Sequence, residues 1–219
     1  MNGLSKRGAG FIASWEAIYL YAYPDPGTGG EPWTIGIGAT KHDGQGPVRK
    51  GQRITLERAI VRFRETMEKN YVPDVQSAIR RSLAQHELDS LASFHYNTGA
   101  IRSGSVDDKL NNGDDRAALG TLSRYNKAAG RVMPGLQDRR AAEVRLWRTG
   151  DYGSRRIGIH TDRAARVRSI AWDALPWDIS LPAPEITFDM PPITPPLPAR
   201  KPTGNFLLDL IRFIWSKIA

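Results

Sequence analysis

The chain has 219 residues, of which 40% are hydrophobic and 25% are charged, as in an ordinary soluble globular protein. Its formal net charge of +8 favours an anionic partner such as nucleic acid, an acidic membrane surface or an acidic wall polymer. The absence of cysteine excludes disulfides, thiol catalysis and thiolate metal sites. We recognise no signal peptide and no transmembrane span, because Glu16 interrupts the apolar stretch near the N-terminus, and we expect a protein made in the cytoplasm.

Apolar periodicity and turn residues divide the chain into one hairpin and a series of helices. Apolar residues at helical spacing predict a short helix over residues 9–20. A proline- and glycine-rich stretch predicts a hairpin over residues 22–38. One further helix is predicted from Thr55 to about Asn70, and another begins near Ser82. Three more are predicted over residues 114–126, 136–149 and 162–175. This order predicts an α+β fold, in which a small hairpin lobe packs against a larger helical lobe with a cleft between them.

The composition changes after residue 175. Nine of the fifteen prolines lie between Pro176 and Pro202, which favours an extended segment. We therefore expect a domain over residues 1–175, a proline-rich linker over 176–204 and a C-terminal amphipathic helix over 205–219. The apolar face of that helix, which includes Trp215, fits an envelope or membrane contact. Folding back onto the domain and self-association are the alternatives.

A basic region precedes the prolines. Nine arginines and four acidic residues lie between residues 138 and 168. This excess of positive charge fits adhesion to an anionic envelope, and it equally fits a solvated basic face. Nucleic acid is not an expected partner, because aromatic residues are not interleaved here as stacking platforms. The four histidines are scattered along the chain, so we expect neither a metal site nor a cofactor.

The residues that most suggest chemistry are Glu16, Asp25 and Thr34, in and around the predicted hairpin. Glu16 lies among apolar and aromatic residues, whereas Asp25 lies in the turn, where we expect it to be more solvated. Burial raises the pKa of a carboxyl group and suits it to donate a proton, while a solvated carboxylate stays ionised. Two carboxylates in unlike environments are what glycoside hydrolysis requires. Taken singly, Glu16 also fits a surface helix and Asp25 an ordinary turn.

These three residues belong to a longer pattern. Their E-x8-D-x8-T spacing, embedded in AYPDPGTGGEPWTIGIG, resembles the catalytic segment of the phage-type lysozymes, the phage endolysins of glycoside hydrolase family 24. Downstream, QHELDSLASFHYNTGA and YNKAAGRVMPGLQDRRAAEVRLWRTGDY are similar to the central helix and the C-terminal lobe of that family. The resemblance covers about residues 9–153 and implies a lysozyme-like fold. It also implies that Glu16 is the general acid, Asp25 the second carboxylate and Thr34 the positioning hydroxyl.

The resemblance extends to two supporting residues and fails at one position. Arg139 is similar to the arginine that pairs with the acid across the cleft, although an i,i+4 surface pair with Glu143 is an equal alternative. Asn97 stands where the family places an amide at the cleft floor, and it also fits an ordinary helix C-terminus. Family members commonly carry histidine after the TIGxG run, whereas this chain has Ala39, followed by Thr40. Local support for the site is therefore in question.

The function that the resemblance implies is that of a peptidoglycan muramidase without a cofactor. It would hydrolyse the β-1,4 bond between N-acetylmuramic acid and N-acetylglucosamine, after its release from the host cytoplasm to the wall. One alternative is an inactive wall-binding module, which Ala39 supports, and another is a lytic transglycosylase on the same fold. The stereochemical course depends on the separation of the two carboxylates, which the sequence leaves open, although the resemblance favours inversion.

Overall fold

The computed structural model describes residues 3–25, 28–128, 130–163 and 167–180. This part of the chain is mainly helical, with a small sheet beside the helices, so the predicted α+β class is confirmed. The helices are α1 (Lys6–Glu16), α2 (Leu56–Thr66), α3 (Val72–Ala78), α4 (Gln85–Thr98), α5 (Val106–Asn111), α6 (Asp115–Ser123) and α7 (Pro134–Thr149). The strands are β1 (Ile18–Pro24), β2 (Trp33–Gly36), β3 (Lys127–Ala128), β4 (Arg131–Val132), β5 (Ile157–His160) and β6 (Arg168–Ile170).

The main sheet has four strands in the order β2-β1-β5-β6. Strands β1 and β2 form the predicted antiparallel hairpin, in which Tyr23 lies opposite Thr34. Strand β5 then adds to β1 in parallel, so the chain returns to this sheet only after it has passed through the helical lobe.

The prediction of one helix over 9–20 is wrong beyond Glu16. Helix α1 ends there because Ala17 has a φ of 58°, and the next residues, Ile18–Pro24, form strand β1.

Helix α4 forms the centre of the helical lobe, and it packs against α1, α3 and α7. Its inward face carries Leu91 and Phe94, which are fully buried. Asp89 on this helix is also fully buried, and its carboxylate accepts hydrogen bonds from the Ser5 hydroxyl and from the Tyr152 hydroxyl. Since Ser5 is the N-cap of α1, this carboxylate ties α1 and the segment after α7 to the central helix.

A π-helical turn at Met67–Tyr71 joins α2 to α3 in one continuous helical path. Pro73 follows in the first turn of α3 and cannot donate a backbone hydrogen bond, which explains why the regular i→i−4 ladder is interrupted before it. The predicted helix after Thr55 therefore exists, with Thr55 as its N-cap, but it continues as α3 to Ala78.

The segment after β5 packs onto the domain without forming the predicted helix over 162–175. That prediction is wrong, because residues 168–170 pair with β5 as an edge strand and a 3-10 turn follows at Trp172–Ala174. Trp177 is buried in the main core and Ile179 packs against it. The packed domain thus extends past the predicted boundary at residue 175, to Ile179 at least. Most of the predicted linker over 176–204 and all of the predicted helix over 205–219 lie outside the described residues.

None of the helices in the described ranges is both long enough and apolar enough to cross a membrane.

Candidate active site

Glu16 is the last residue of α1, and the turn that follows it is strained. Ala17 adopts φ 58° and ψ 170°, a region of backbone space that is populated essentially by glycine alone. This turn directs the chain from α1 into β1 and leaves the Glu16 side chain between the hairpin and the helical lobe. Glu16 is only 6% exposed. The predicted burial of this carboxyl group is therefore present.

Arg139 on α7 is the ionic partner of Glu16. Its Nη1 atom lies 2.5 Å from Oε1 of Glu16, and its Nε atom donates to Oε1 of Glu143 at 3.2 Å. Both contacts considered from the sequence are thus made by one guanidinium. Burial lowers the pKa of Arg139, but the charges of Glu16 and Glu143 raise it by more, and the net shift is upward. Arg139 therefore stays charged throughout the physiological pH range.

A second arginine extends this contact into a buried ionic network. Arg140 and Glu143 are both buried on α7, and Nη2 of Arg140 donates to Oε1 of Glu143 at 2.9 Å. The Ser93 hydroxyl on α4 donates to the same oxygen at 2.7 Å. The network therefore joins two guanidinium groups to the side chains of Glu143 and Glu16. Sequence reasoning missed Arg140 and Ser93, although the R-R-x-x-E pattern on the helix predicted over residues 136–149 was a usable signal.

Asp25 directly follows β1, and hydrogen bonds hold both its backbone and its side chain. Its backbone N–H donates to the carbonyl oxygens of Gly30 and Pro32, and its Oδ1 atom accepts from the N–H of Thr28 at 2.9 Å. The residue is 3% exposed, so the prediction that it is more solvated than Glu16 is wrong. Aspartate side chains commonly accept a hydrogen bond from a backbone N–H a few residues further on, as Asp25 does here from Thr28.

Thr34 is fully buried on β2, opposite Tyr23 on β1. Tyr23 is itself buried, and its pKa is raised well above its usual value by burial, by Tyr19 and by Glu16. Paired residues of an antiparallel ladder project to the same face of the sheet. Tyr23 therefore lies beside Thr34 and within electrostatic reach of Glu16. Sequence reasoning missed this neighbour, although the alternation of Tyr19, Tyr21 and Tyr23 along the strand marked the face.

A cavity of about 120 Å³ opens beside Glu16, between the end of the hairpin, α2 and α4. Tyr96 fixes one side of it, because its hydroxyl donates to the carbonyl oxygen of Ile37 at 2.6 Å. Gly38 is required next to this bond, since it has a φ of 69° and a Cβ atom would lie 2.6 Å from the Tyr96 oxygen. The cavity is lined by Glu16, Ile37, Gly38, Ala39, Thr40, His42, Asp43, Phe63, Thr66, Asn70, Tyr71, Tyr96 and Asn97.

The cavity accounts for part of the predicted site. Glu16 and Asn97 line it together, while Asp25, Thr34 and Arg139 are buried and do not form its wall. Ala39 and Thr40 occupy the wall at the point where the sequence departs from the pattern of the family. The methyl group of Ala39 packs into the apolar cluster of the hairpin.

Within the described ranges no group of three or more His, Cys, Asp or Glu residues could hold a metal ion. The predicted site itself contains two buried carboxyl groups, one paired with the Arg139 guanidinium and one that accepts from the Thr28 N–H.

The family model described as "Phage lysozyme" matches residues 13–143, which is more than half of the chain. The chain belongs to the phage lysozyme family. The endolysin of Bacillus phage PZA is 36% identical to it over 149 residues, a match that covers 67% of this chain and 55% of the relative. The endolysin of Lactococcus phage c2 is 29% identical over 144 residues and is covered to 59%. The chain thus spans little more than half the length of these relatives.

Solved structures of the family agree with the lysozyme-like fold. An endolysin from the Escherichia coli O157:H7 phage FAHEc1 superposes with a TM-score of 0.61 at 30% identity, over 70% of this chain and 97% of that one. The muramidase domain of SpmX from Asticcacaulis excentricus gives a TM-score of 0.60 at 28% identity, over 68% of this chain and 99% of that domain. The predicted fold and family are confirmed.

Proposed function

We propose that this phage lysozyme is a muramidase that hydrolyses peptidoglycan at the β-1,4 bond from N-acetylmuramic acid to N-acetylglucosamine. The observation that carries the proposal is the Glu16 carboxyl group, buried at the wall of a cavity and bonded to Arg139. The names of the relatives, which are endolysins and a muramidase domain, support the same substrate class. An enzyme of this kind acts on the wall after release from the cytoplasm.

Glu16 is proposed as the general acid. A protonated carboxyl group both donates through its hydroxyl and accepts through its carbonyl oxygen. Arg139 occupies Oε1 at 2.5 Å, so Oε2 is the oxygen that carries the proton toward the glycosidic oxygen. Arg139 then compensates the negative charge that remains on Glu16 when the proton has been transferred, and this compensation stabilises the charged product of the step.

Asp25 and Thr34 are proposed to support attack on the sugar from the hairpin side. The Asp25 carboxylate accepts a hydrogen bond from the Thr28 N–H, and Thr34 is fully buried on β2 opposite Tyr23. Inverting enzymes separate the two carboxyl groups by roughly 6.5–9.5 Å and retaining enzymes by roughly 5–5.5 Å. The family resemblance favours inversion, and the anomer of the first product, followed by NMR during a digest, decides between the two courses.

The test replaces the acid without changing its shape. Glu16→Gln keeps an acceptor oxygen for Arg139 and removes the transferable proton, so we expect the release of reducing ends from purified peptidoglycan to fall by at least 10²-fold, the lower range for a general acid. Asp138→Asn is the matched control, because Asp138 is exposed and directly precedes Arg139 in the sequence. Release of reducing ends by Glu16→Gln at the rate of this control would reject the proposal.

We further propose that residues 205–219 contact the bacterial envelope, a proposal that rests on their apolar sequence pattern alone. The test is truncation after residue 180, which keeps Trp177 and Ile179 in the core. We expect full activity on purified wall and reduced lysis of intact cells. Equal lysis of intact cells by both proteins would reject the envelope contact.

A further inference from the structure

We propose that Arg140 is a positioning residue, which turns the Asn97 amide so that its nitrogen donates to an acceptor oxygen of the bound glycan. Asn97 lines the cavity beside Glu16, whereas Arg140 does not reach that wall. The inference rests on the proposed function, in that the glycan is the occupant of this cavity. It adds that the Asn97 amide is the donor in its contact with the glycan, and that Arg140 fixes this orientation.

The chemistry of arginine determines that the oxygen of the Asn97 amide, and not its nitrogen, faces Arg140. Nη2 of Arg140 lies 3.0 Å from Oδ1 of Asn97. A guanidinium has five donors and no acceptor, so only the oxygen of an amide can face it. The orientation of Asn97 therefore follows from its neighbour and does not depend on telling oxygen from nitrogen by position alone. Its two N–H donors point away from Arg140.

The donor end of Asn97 is available to a ligand. Within the described part of the chain the hydrogen bond to Arg140 is the one that the Asn97 side chain makes, and the residue forms part of the cavity wall. Glu16 lies in the same wall and donates its proton in the proposed reaction. An amide N–H beside it binds an oxygen of the sugar, such as an acetamido carbonyl or a hydroxyl.

Arg140 is itself held in place on three sides. Its Nε atom lies 2.8 Å from Oε2 of Glu143, its Nη2 atom donates to Oε1 of Glu143, and its guanidinium lies over the Phe94 ring at 5.3 Å. Burial lowers the pKa of Arg140 to about 10, despite the opposing effect of Glu143. The group is therefore charged at neutral pH and stays a pure donor toward Asn97.

The ion pair with Glu143 accounts for only part of the Arg140 guanidinium. Among the described residues, Nη1 of Arg140 has no hydrogen-bond partner, although it is buried. A buried donor without a partner lowers stability. An apolar residue at this position would remove that cost, but it would leave Glu143 with one cation fewer and Asn97 without the donor that orients it.

The experiment measures binding, so that it does not depend on turnover. The probe is a peptide-free tetrasaccharide of two N-acetylglucosamine–N-acetylmuramic acid repeats, titrated by calorimetry into the Glu16→Gln protein. In this background Asn97→Ala and Arg140→Met are each expected to raise the Kd about tenfold, the upper size for one neutral hydrogen bond. Their combination is expected to raise it by the same factor, because Arg140 acts through Asn97. A combined effect of about a hundredfold would overturn the inference.

Asn97→Asp provides the sharper variant. It keeps an acceptor for Arg140 and loses both donors, so we expect it to bind about as weakly as Asn97→Ala. Asn70→Asp adds the same charge at the wall of the same cavity and measures the electrostatic part of the effect. If Asn97→Asp bound the probe no more weakly than Asn70→Asp, the donor role would be refuted.

Two further measurements keep the outcomes separate. Thermal unfolding identifies variants that lose the fold. If Arg140→Met unfolds, Arg140→Lys replaces it, because lysine retains a buried donor. We expect the Arg140→Lys protein to bind the probe more tightly than the Asn97→Ala protein does. If the wild-type protein bound the probe but released no products from peptidoglycan, the proposed hydrolysis would fail, and the binding series would still decide the role of Arg140.

Discussion

Removal of the Arg139 guanidinium tests the buried ionic network most severely. Arg139 is 2% exposed and contacts both Glu16 and Glu143. Arg139→Met has a similar length but leaves the buried Glu16 side chain without its partner and Glu143 with one cation where it had two. Breaking a buried pair on one side costs about 3–5 kcal/mol. Arg140 still pairs with Glu143, so the loss falls mainly on Glu16, and we expect the free energy of unfolding to fall by about 3 kcal/mol, the lower end of that range.

The assay is urea denaturation at neutral pH, with the free energy taken from midpoint and slope. Arg145→Met is the matched control, because Arg145 lies on the same helix and forms an ion pair with Asp151 in which both side chains are more than half exposed. Its expected cost is below about 1 kcal/mol. Glu16→Gln combined with Arg139→Met should recover part of the loss. A loss for Arg139→Met no larger than that of the control would refute the reasoning.

Three further changes probe strain, packing and titration. Ala17→Gly should raise the free energy of unfolding by about 1 kcal/mol in the same urea assay, because relief of the strained φ exceeds the entropic cost of glycine; a lower midpoint would contradict this. Trp177→Ala should lower it by about 3 kcal/mol, since the ring is buried in the main core, and a loss below about 1 kcal/mol would show that the fold ends before it. Tyr23 stays protonated in the fold while the unfolded chain ionises above about pH 10, so stability falls as the pH rises beyond that point. Tyr23→Phe should make this fall shallower by up to about 1.4 kcal/mol per pH unit, and unchanged slopes would contradict the raised pKa.

The fold was predictable where local patterns and burial agree. Helix α7 follows its predicted range closely because Gly150 ends it, with a φ of 69°. The hairpin follows from its proline and glycine turn. The region after residue 160 was not predictable, because its strand pairs with β5 and Trp177 packs into a core that the sequence does not display. Pairing partners distant in sequence leave no periodic signal.

The sequence predicted which residues belong to the candidate site better than it predicted their burial and orientation. The resemblance placed Glu16 and Arg139, and the structure joins them. Burial of Asp25 depends on how the turn closes over its carboxylate, which residue type alone does not show. The orientation of the Asn97 amide depends on Arg140, which lies on another helix. A sequence motif therefore identifies the residues of the site but not the tertiary contacts that bury or orient them. The catalytic roles of Glu16, Asp25 and Thr34 stay predictions.

The central claim is that Glu16 drives hydrolysis of the glycan, and the masses of the soluble products from purified peptidoglycan test it most directly. We predict that the wild-type protein releases muropeptides with reducing N-acetylmuramic acid ends and that the Glu16→Gln protein releases none. Anhydro-muramic products from the wild-type protein would show a transglycosylase, and the same reducing products from Glu16→Gln would show that this residue is not the acid.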